Sequence, residues 1–161
     1  MLRLAAFCAL AGACAAAAAD LGINVYGASY HFERAKAREL GLTNEVNAGL
    51  GVRWRGPVQE RFGERFDVFV DAGFYRDSAR HTALLAGAAA LWHAGERARL
   101  GAGLVLFKSP TYNRGDPFVA PAPLAAYQWR RATFNVVYFP KFGELNSTNQ
   151  LGFWLTLWLQ D

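Results

Sequence analysis

Apolar residues recur at every second position along most of the chain, which is the spacing of a β-strand with one apolar face. The segment 66–77 is the clearest case, and its apolar face carries Phe66, Val68, Val70, Ala72 and Phe74. Its other face carries Asp67, Phe69, Asp71, Gly73, Tyr75 and Asp77. Buried carboxylates without partners are costly, so this second face is a poor lining for a dry core. The pattern therefore favours a barrel whose apolar face points outward.

Eight segments of this kind follow one another, separated by turn signals rich in Gly, Asn, Asp and Pro. They are Ile23–Ala35, Asn44–Trp54, Phe66–Asp77, Ala83–His93, Ala98–Phe107, Phe118–Gln128, Ala132–Phe139 and Gln150–Gln160. Strands of about ten residues with one apolar face are typical of transmembrane barrels. We predict an all-β fold, an eight-stranded antiparallel up-and-down transmembrane β-barrel. The alternative is a secreted soluble barrel of the lipocalin type, with its apolar residues inside.

The ends of the predicted strands carry different chemistry. In the first segment Tyr26, Tyr30 and Phe32 alternate with Ser29, His31 and Glu33, which predicts a polar lumenal face around His31. With the N-terminus in the periplasm, the residues that fall near the outer rim are His31, Asp77, Ser78, Lys108, Ser109, Tyr112 and Asn113. Four tryptophans fall near the opposite, periplasmic ends, as in an interfacial aromatic belt: Trp54, Trp92, Trp129 and Trp158.

The N-terminus resembles a secretory signal, with Arg3 before an apolar stretch and small residues at Ala17–Ala19. We predict that residues 1–19 are a cleaved signal peptide and that residues 20–161 form the barrel domain. Both cysteines, Cys8 and Cys14, lie within the signal, so the mature chain is expected to have no thiol and no disulfide.

Composition narrows the class of function. Of the 161 residues, 53% are hydrophobic and 19% are charged, below the roughly 25% charged residues of soluble domains. Strands with an outward apolar face explain both the high share of hydrophobic residues and the low share of charged ones. The net charge of +4 is not gathered into one basic run, so no nucleic-acid partner is expected. The three histidines are dispersed, and neither a metal nor a cofactor is predicted.

Several short motifs, in order along the eight segments, together resemble the PagP family of outer-membrane lipid A palmitoyltransferases. They are Ser29-Tyr30-His31, Gly49–Trp54, Phe74–Ser78, Leu85-Ala86-Gly87, Leu100–Gly103, Ala120–Ala125 and Phe134–Pro140. The resemblance implies a monomer in the outer membrane of a Gram-negative bacterium. It also implies transfer of an acyl chain from the sn-1 position of a glycerophospholipid, the donor, to the lipid A of lipopolysaccharide, the acceptor.

The resemblance also assigns residues. His31, Asp77 and Ser78 match the catalytic residues of the family, and Pro123 and Pro140 match prolines that open a lateral gate for lipid. A gate needs strands that do not pair, and proline lacks the N–H for the ladder. Ala89, with Gly87 and Ala88 before it, falls at the floor of the family's acyl pocket. One extra methyl there is expected to select a chain that is palmitate or somewhat shorter. Unlike known members, this chain leaves no room for an amphipathic helix before its first strand.

For each of these residues the sequence leaves an alternative. His31 is either a general base or a histidine that only stabilises the rim. Asp77 either orients His31 or caps a turn, and Ser78 is either a nucleophile, an oxyanion donor or a turn residue. Adjacent Asp77 and Ser78 cannot readily both serve one imidazole. Tyr112 and Asn113 could shape the site. The cations that could hold lipid A phosphates are Arg76, Arg80, Lys108 and Arg114.

Two other classes of function remain open from the sequence. An outer-membrane lipase or lipid A deacylase could use the same His31 and Ser78 with water as the acceptor. A non-enzymatic structural barrel is the third class, and it would have a packed polar interior in place of a cavity lined by small residues.

Overall fold

The fold is an almost purely β architecture, described by a computed structural model over residues 19–143 and 145–159. The long strands are β1 (Asp20–His31), β2 (Val46–Arg55), β4 (Glu64–Arg76), β5 (Thr82–His93), β6 (Ala98–Lys108), β7 (Phe118–Trp129), β8 (Ala132–Phe139) and β9 (Gln150–Trp158). Strand β3 (Gln59–Arg61), helix α1 (Arg34–Glu39) and a 3₁₀ turn (Asn113–Gly115) complete the described elements. The predicted signal peptide and Gln160 lie outside the described residues, apart from Ala19.

The eight long strands close on themselves. Their antiparallel order is β2-β1-β9-β8-β7-β6-β5-β4, and the pairing of β2 with β4 joins the two ends. Closure leaves no edge strand with unpaired backbone groups along the wall. The prediction of an eight-stranded antiparallel barrel is confirmed, and the predicted segments match these strands within a few residues. We call the end where β1, β4 and β6 finish the upper rim, and the end where they begin the lower end.

The alternation of β4 is as predicted. Val68, Val70 and Phe74 are outward and 42%, 42% and 51% exposed, whereas Asp67 and Phe69 point inward and are 7% and 4% exposed. The same outward apolar positions occur around the whole wall. Large apolar side chains exposed on other strands include Val25, Leu50, Val52, Leu84, Leu100, Leu104, Leu106, Val119, Phe134, Leu155 and Leu157.

A β-bulge changes which side chains of β1 point into the lumen. Its register with both neighbours shifts between Tyr26 and Ala28, so one extra residue enters the strand there. Tyr26 consequently points into the lumen, where its ring packs against Tyr75 and Trp154, while Tyr30 is 40% exposed outside. The prediction that Tyr26 and Tyr30 share a face is therefore wrong. The absence of a side chain at Gly51 admits the Tyr26 hydroxyl, which a Cβ would meet at 2.9 Å.

Three further expectations are corrected at the strand ends. β1 stops at His31, and residues 34–39 form α1, so the first strand does not reach Ala35. Glu33 lies beyond the strand and accepts hydrogen bonds from the backbone and side chain of Asn149, instead of facing the lumen. Trp158 is 7% exposed and donates to Thr133 inside the barrel, so it does not belong to the outer aromatic belt.

In the described residues, no helix has both the length and the apolar character needed to cross a membrane.

The barrel interior is layered. Near the lower end, buried polar side chains are linked by hydrogen bonds, and Arg53 is at their centre, bound to Asp71 and Asn135. Packed against them is an apolar layer formed by Phe69, Ala89, Leu91 and Ala126. Higher still, the lumen is partly empty. The layers leave the upper half of the barrel as the place where a ligand can enter.

Candidate functional site

Ser78 and His31 form a close pair at the upper rim. His31 is the last residue of β1, and Ser78 follows the end of β4, which lies two strands away around the barrel. The Ser78 Oγ and the His31 Nε2 are 2.9 Å apart, and the Ser29 Oγ is 3.3 Å from the Ser78 Oγ. Both are buried, with 3% of Ser78 and 1% of His31 exposed. A hydroxyl at this distance from an imidazole nitrogen has the arrangement of a nucleophile and its base.

The other ring nitrogen of His31 contacts a residue that the sequence did not single out. The His31 Nδ1 is 2.9 Å from the Oγ1 of Thr148, which is fully buried. Thr148 lies in the loop between β8 and β9, 117 residues from His31 along the chain. No periodicity or motif marks it in the sequence, because irregular loops carry no pattern that fixes which way a side chain points.

Asp77 is turned away from His31. One carboxylate oxygen accepts hydrogen bonds from the backbone N–H groups of Ala79 and His81, at 3.0 and 2.8 Å. The other accepts from the hydroxyls of Ser109 and Thr111 in the loop after β6. Of the two roles left open for Asp77, the structure shows the cap of a turn and contradicts the orientation of His31. Adjacent residues leave the end of a strand in different directions, so Ser78 reaches the imidazole and Asp77 cannot.

The loop held by Asp77 carries Tyr112 into the site. Tyr112 is 7% exposed and packs against Phe107 and Ala83. Burial, aided by the negative charge of Asp77, raises the pKa of Tyr112 to about 12, and contacts with the side chains of Gln150 and Ser78 oppose that rise. The phenol therefore stays protonated at neutral pH and can donate a hydrogen bond beside Ser78.

The apolar cavity opens below the pair. Its empty volume is about 880 Å³, part of it open to solvent, and Ser78 and Tyr112 border its upper part. Its middle is lined by Leu85, Val105, Ala122, Leu124, Val137 and Trp154. Phe69 and Ala89 lie nine or more residues below Ser78 along the barrel wall. A rise of about 3.3 Å per residue and a strand tilt of about 40° give the cavity a depth of roughly 20 Å.

Ala89 lies in the position expected of a cavity floor. Its side chain points inward, is 7% exposed and packs in the apolar layer with Phe69 and Leu91. Gly87, two residues above it on the same face of β5, lines the cavity wall. Ala88 lies between them and is on the outer face. The guanidinium of Arg53 stacks on the Phe69 ring at 3.7 Å, and Phe69 borders the lower part of the cavity.

Strands β7 and β8 separate in their upper halves. Their ladder ends at the pair Leu124↔Val137, although β7 pairs with β6 up to Phe118 and β8 pairs with β9 up to Phe139. Pro123 lies directly above the last pair, and the same register places Pro121 opposite Pro140. Two prolines that are two residues apart in a strand both lack the N–H that would point to the same neighbouring strand. Because the ladder to β6 is intact, that neighbour is β8.

A second cavity of about 630 Å³, partly open to solvent, fills this seam. It borders Pro121 and Pro140 and shares Phe107, Tyr112 and Phe139 with the main cavity. The opening between β7 and β8 therefore lies beside the lumen, and the two cavities share part of their lining. Pro121 was not singled out from the sequence, although its spacing from Pro123 was the available signal.

Four of the remaining candidate residues lie at the upper rim but away from the Ser78–His31 pair, and a fifth, His93, lies at the lower end. Lys108 and Arg76 are exposed on the outer face of the barrel, away from the lumen. Asn113 lies in the 3₁₀ turn and donates to the Asp116 carbonyl at 3.2 Å, so it shapes a loop. His81 is exposed and 3.0 Å from the Thr111 hydroxyl, whereas His93 pairs with Asp67 at the lower end.

Within the part of the chain that is described, no cluster of His, Cys, Asp and Glu is arranged to hold a metal ion. Comparison with known protein families and with curated proteins finds no match for this chain. What the site does must therefore be argued from its own geometry and from the motifs in the sequence.

Proposed function

We propose that the protein is a phospholipid:lipid A acyltransferase of the outer membrane of a Gram-negative bacterium. The observation that carries the proposal is a paired serine and histidine at the mouth of a deep apolar cavity. The Ser78 Oγ lies 2.9 Å from the His31 Nε2 and borders that cavity. A single acyl chain fits such a cavity, with its ester carbonyl at the pair and its methyl end toward Ala89.

The outer surface supports a membrane location. Its exposed Val, Leu and Phe side chains surround the wall of a closed barrel, and soluble monomers rarely expose a continuous apolar surface of that extent. Trp54, Trp92 and Trp129 are 41%, 39% and 60% exposed near the lower end, where an interfacial belt would lie. A barrel is also one of the two architectures that satisfy all backbone groups in hydrocarbon.

The seam between β7 and β8 supports a lipid as the acyl donor. A phospholipid held in the surrounding bilayer reaches the lumen through this opening without leaving the membrane. Each CH₂ that passes from water into the apolar lumen contributes about 0.8 kcal/mol, but lipid and lumen are both apolar. The cavity is therefore expected to select the length and shape of the acyl chain and to add little to the affinity of the protein for the phospholipid.

The pair supports transfer in two steps. The Ser78 Oγ attacks the carbonyl carbon of the donor ester, and its proton passes to the His31 Nε2. The bond from that carbon to the glycerol oxygen breaks, and the leaving lysophospholipid takes the proton. A lipid A hydroxyl then attacks the acyl-serine, with its proton passing through Nε2 back to Ser78. The protonated Tyr112 phenol is placed to donate to the oxyanion.

The burial of the pair favours transfer over hydrolysis. Only 1% of His31 and 3% of Ser78 is exposed, so bulk water has poor access to an acyl-serine. A structural barrel is disfavoured by the empty apolar lumen, since such a barrel needs no cavity beside a hydroxyl–imidazole pair. Lipid A as the acceptor rests on the family resemblance, with Arg76 and Lys108 on the outer rim able to meet its phosphates.

Mass spectrometry of lipid A from cells with and without the gene tests the proposal, together with analysis of their phospholipids. An added acyl chain on lipid A, matched by accumulation of lysophospholipid, is the expected result. Loss of an acyl chain from lipid A would show that the protein is a deacylase and not an acyltransferase. Unchanged lipids in cells that contain the folded protein would exclude both enzymatic functions.

Substitution of Ala89 by glycine is expected to lengthen the preferred acyl chain. The change removes a methyl from the cavity floor, so one further CH₂ no longer overpacks the site. Overpacking of that kind costs about 1–3 kcal/mol, so we expect at least a roughly fivefold shift in preference toward the next longer chain. Ala88→Gly is the matched control, because Ala88 is the neighbouring residue on the outer face of β5. The lipid A species made by the two variants report the result. Equal shifts in both variants would contradict a floor at Ala89.

A further inference from the structure

His31 lies between two hydroxyls, and the structure leaves one of them without a role in the proposed transfer. Ser78 is on its Nε2 and Thr148 is on its Nδ1, each at 2.9 Å. We propose that Thr148 is the positioning residue of the site, and that it fixes His31 in the tautomer that leaves Nε2 free to accept the proton of Ser78. This inference rests on the proposed function for its catalytic consequence, but the tautomer itself is a property of the resting protein.

The argument starts from the two forms of a neutral imidazole. One ring nitrogen carries a hydrogen and donates, while the other accepts. If Nε2 carries the hydrogen, the Ser78 Oγ has to accept and its own proton has no base. If Nδ1 carries it, the Thr148 Oγ1 accepts, and Nε2 is left to accept from Ser78. The second form alone prepares Ser78 for attack.

The carboxylates of the rim do not occupy the position behind the imidazole. Asp77 accepts from Ala79, His81, Ser109 and Thr111, and Glu33 accepts from Asn149. Glu45 accepts a hydrogen bond from the exposed guanidinium of Arg34. In the described part of the chain, the hydroxyl of Thr148 is the group that contacts Nδ1.

The loop that carries Thr148 is fixed on both sides. Asn149 donates to Glu33 through its backbone and side chain, and its backbone oxygen accepts from the Phe32 N–H at 3.0 Å. The next residue, Gln150, pairs with His31 itself in the β1–β9 ladder. These contacts set the distance between Thr148 and the imidazole before any substrate arrives. A hydroxyl held in place acts as a preorganised acceptor.

A neutral hydroxyl stabilises the imidazolium less than a carboxylate does, so the expected effect is moderate. Loss of the hydroxyl leaves Nδ1–H without an acceptor in a buried position, and the ring can change tautomer or turn. Misplacement of a catalytic group by about 1 Å costs on the order of 10²-fold in rate. We therefore expect kcat to fall about ten- to a hundredfold with little change in KM, because Thr148 does not line the cavity.

The test uses the full-length protein folded in detergent, with Thr148→Val, Thr148→Ala and Thr148→Ser. Nitrogen-15 chemical shifts of the His31 ring, assigned with His31→Gln, report which nitrogen carries the hydrogen. Wild type and Thr148→Ser are expected in the Nδ1–H form, and the valine and alanine variants in a mixture or in the Nε2–H form. Ser147→Ala, next to Thr148 and half-exposed, is the matched control.

The same variants are then assayed for acyl transfer from phospholipid to lipid A. Rescue by Thr148→Ser, together with a loss of kcat in the valine and alanine variants, supports the positioning role. An unchanged Nδ1–H tautomer in folded Thr148→Val or Thr148→Ala would overturn it, whatever the activity. If wild type transfers no acyl chain, the proposed function fails, while the tautomer measurement still decides the role of Thr148.

Discussion

Cells that produce the Ser78→Ala variant are expected to contain lipid A without the added acyl chain. The substitution removes the hydroxyl that the His31 Nε2 contacts at 2.9 Å, and it leaves the strands that hold the site intact. General-base activation contributes about 10²- to 10⁴-fold to rates, and loss of the attacking oxygen removes at least that much. His31→Gln is expected to match it, because the pair acts as a unit.

The control for this prediction is His81→Gln. His81 lies in the same rim loop, three residues beyond Ser78, but its side chain is exposed and contacts Thr111. Lipid A from the His81→Gln strain is expected to carry the added chain. All three variants need equal amounts of folded barrel in the membrane fraction. Acyl addition that persists in both Ser78→Ala and His31→Gln would remove the pair from the mechanism.

The largest expected effect on stability comes from Arg53. Its side chain is 2% exposed, donates two hydrogen bonds to Asp71 at 2.8 and 2.7 Å, and donates a third to Asn135 at 2.9 Å. Arg53→Met keeps the aliphatic bulk and leaves Asp71 without its counter-ion inside the barrel. Removal of one partner from a buried ion pair costs about 3–5 kcal/mol. Guanidinium unfolding in detergent micelles measures the change.

An exposed ion pair in the same protein provides the comparison. Arg34 and Glu45 are 3.0 Å apart, and their side chains are 53% and 48% exposed. Arg34→Met is expected to change the free energy of unfolding by less than about 1 kcal/mol, as is usual for surface pairs. Adding Asp71→Leu to Arg53→Met removes the unpaired charge and should recover part of the loss. Equal stability of Arg53→Met and Arg34→Met would mean that the lumenal network does not stabilise the barrel.

The barrel itself could be predicted because its signal is local and repeated. Each strand alternates between an outward Val, Leu or Phe and an inward small or polar residue, and this period is independent of the rest of the fold. The bulge in β1 was not predicted, although the glycine at position 27 lies where the register shifts and an isolated glycine inside a strand often marks a bulge. Trp158 was misplaced as well. Tryptophan near a strand end is common at membrane interfaces, but the parity of β9 directs this one inward.

The site was predictable in part. Alternation and strand ends brought His31 and Ser78 to one rim, where the structure joins them. The orientation of Asp77 depends on how the loop after β6 folds back, with Ser109 and Thr111 taking its carboxylate. Thr148 depends on the loop before β9. Such loop contacts join residues that are distant along the chain, and they follow from three-dimensional packing that the pattern of a single strand does not contain.

The ion pair of Arg53 and Asp71 is an example of a contact inside the barrel that follows from the alternation of inward and outward residues. Arg53 alternates with the outward Val52 and Trp54 on β2, and Asp71 alternates with Val70 and Ala72 on β4. Two opposite charges on the inner faces of neighbouring strands are expected to pair, and the register places them directly opposite each other. The inner-face acids of β4 are thus explained by ion pairing, and Asp71 needs no part in the chemistry.

The stack of Arg53 on Phe69 has a consequence for transport. The guanidinium and the phenyl ring meet the apolar layer of Ala89 and Leu91 inside the lumen, and Phe69 and Ala89 border the lower part of the cavity. We therefore expect these packed side chains to block the passage of ions and small solutes from rim to rim. A planar bilayer that contains the purified protein is accordingly expected to keep its electrical resistance, and the barrier function of a host membrane would survive high expression.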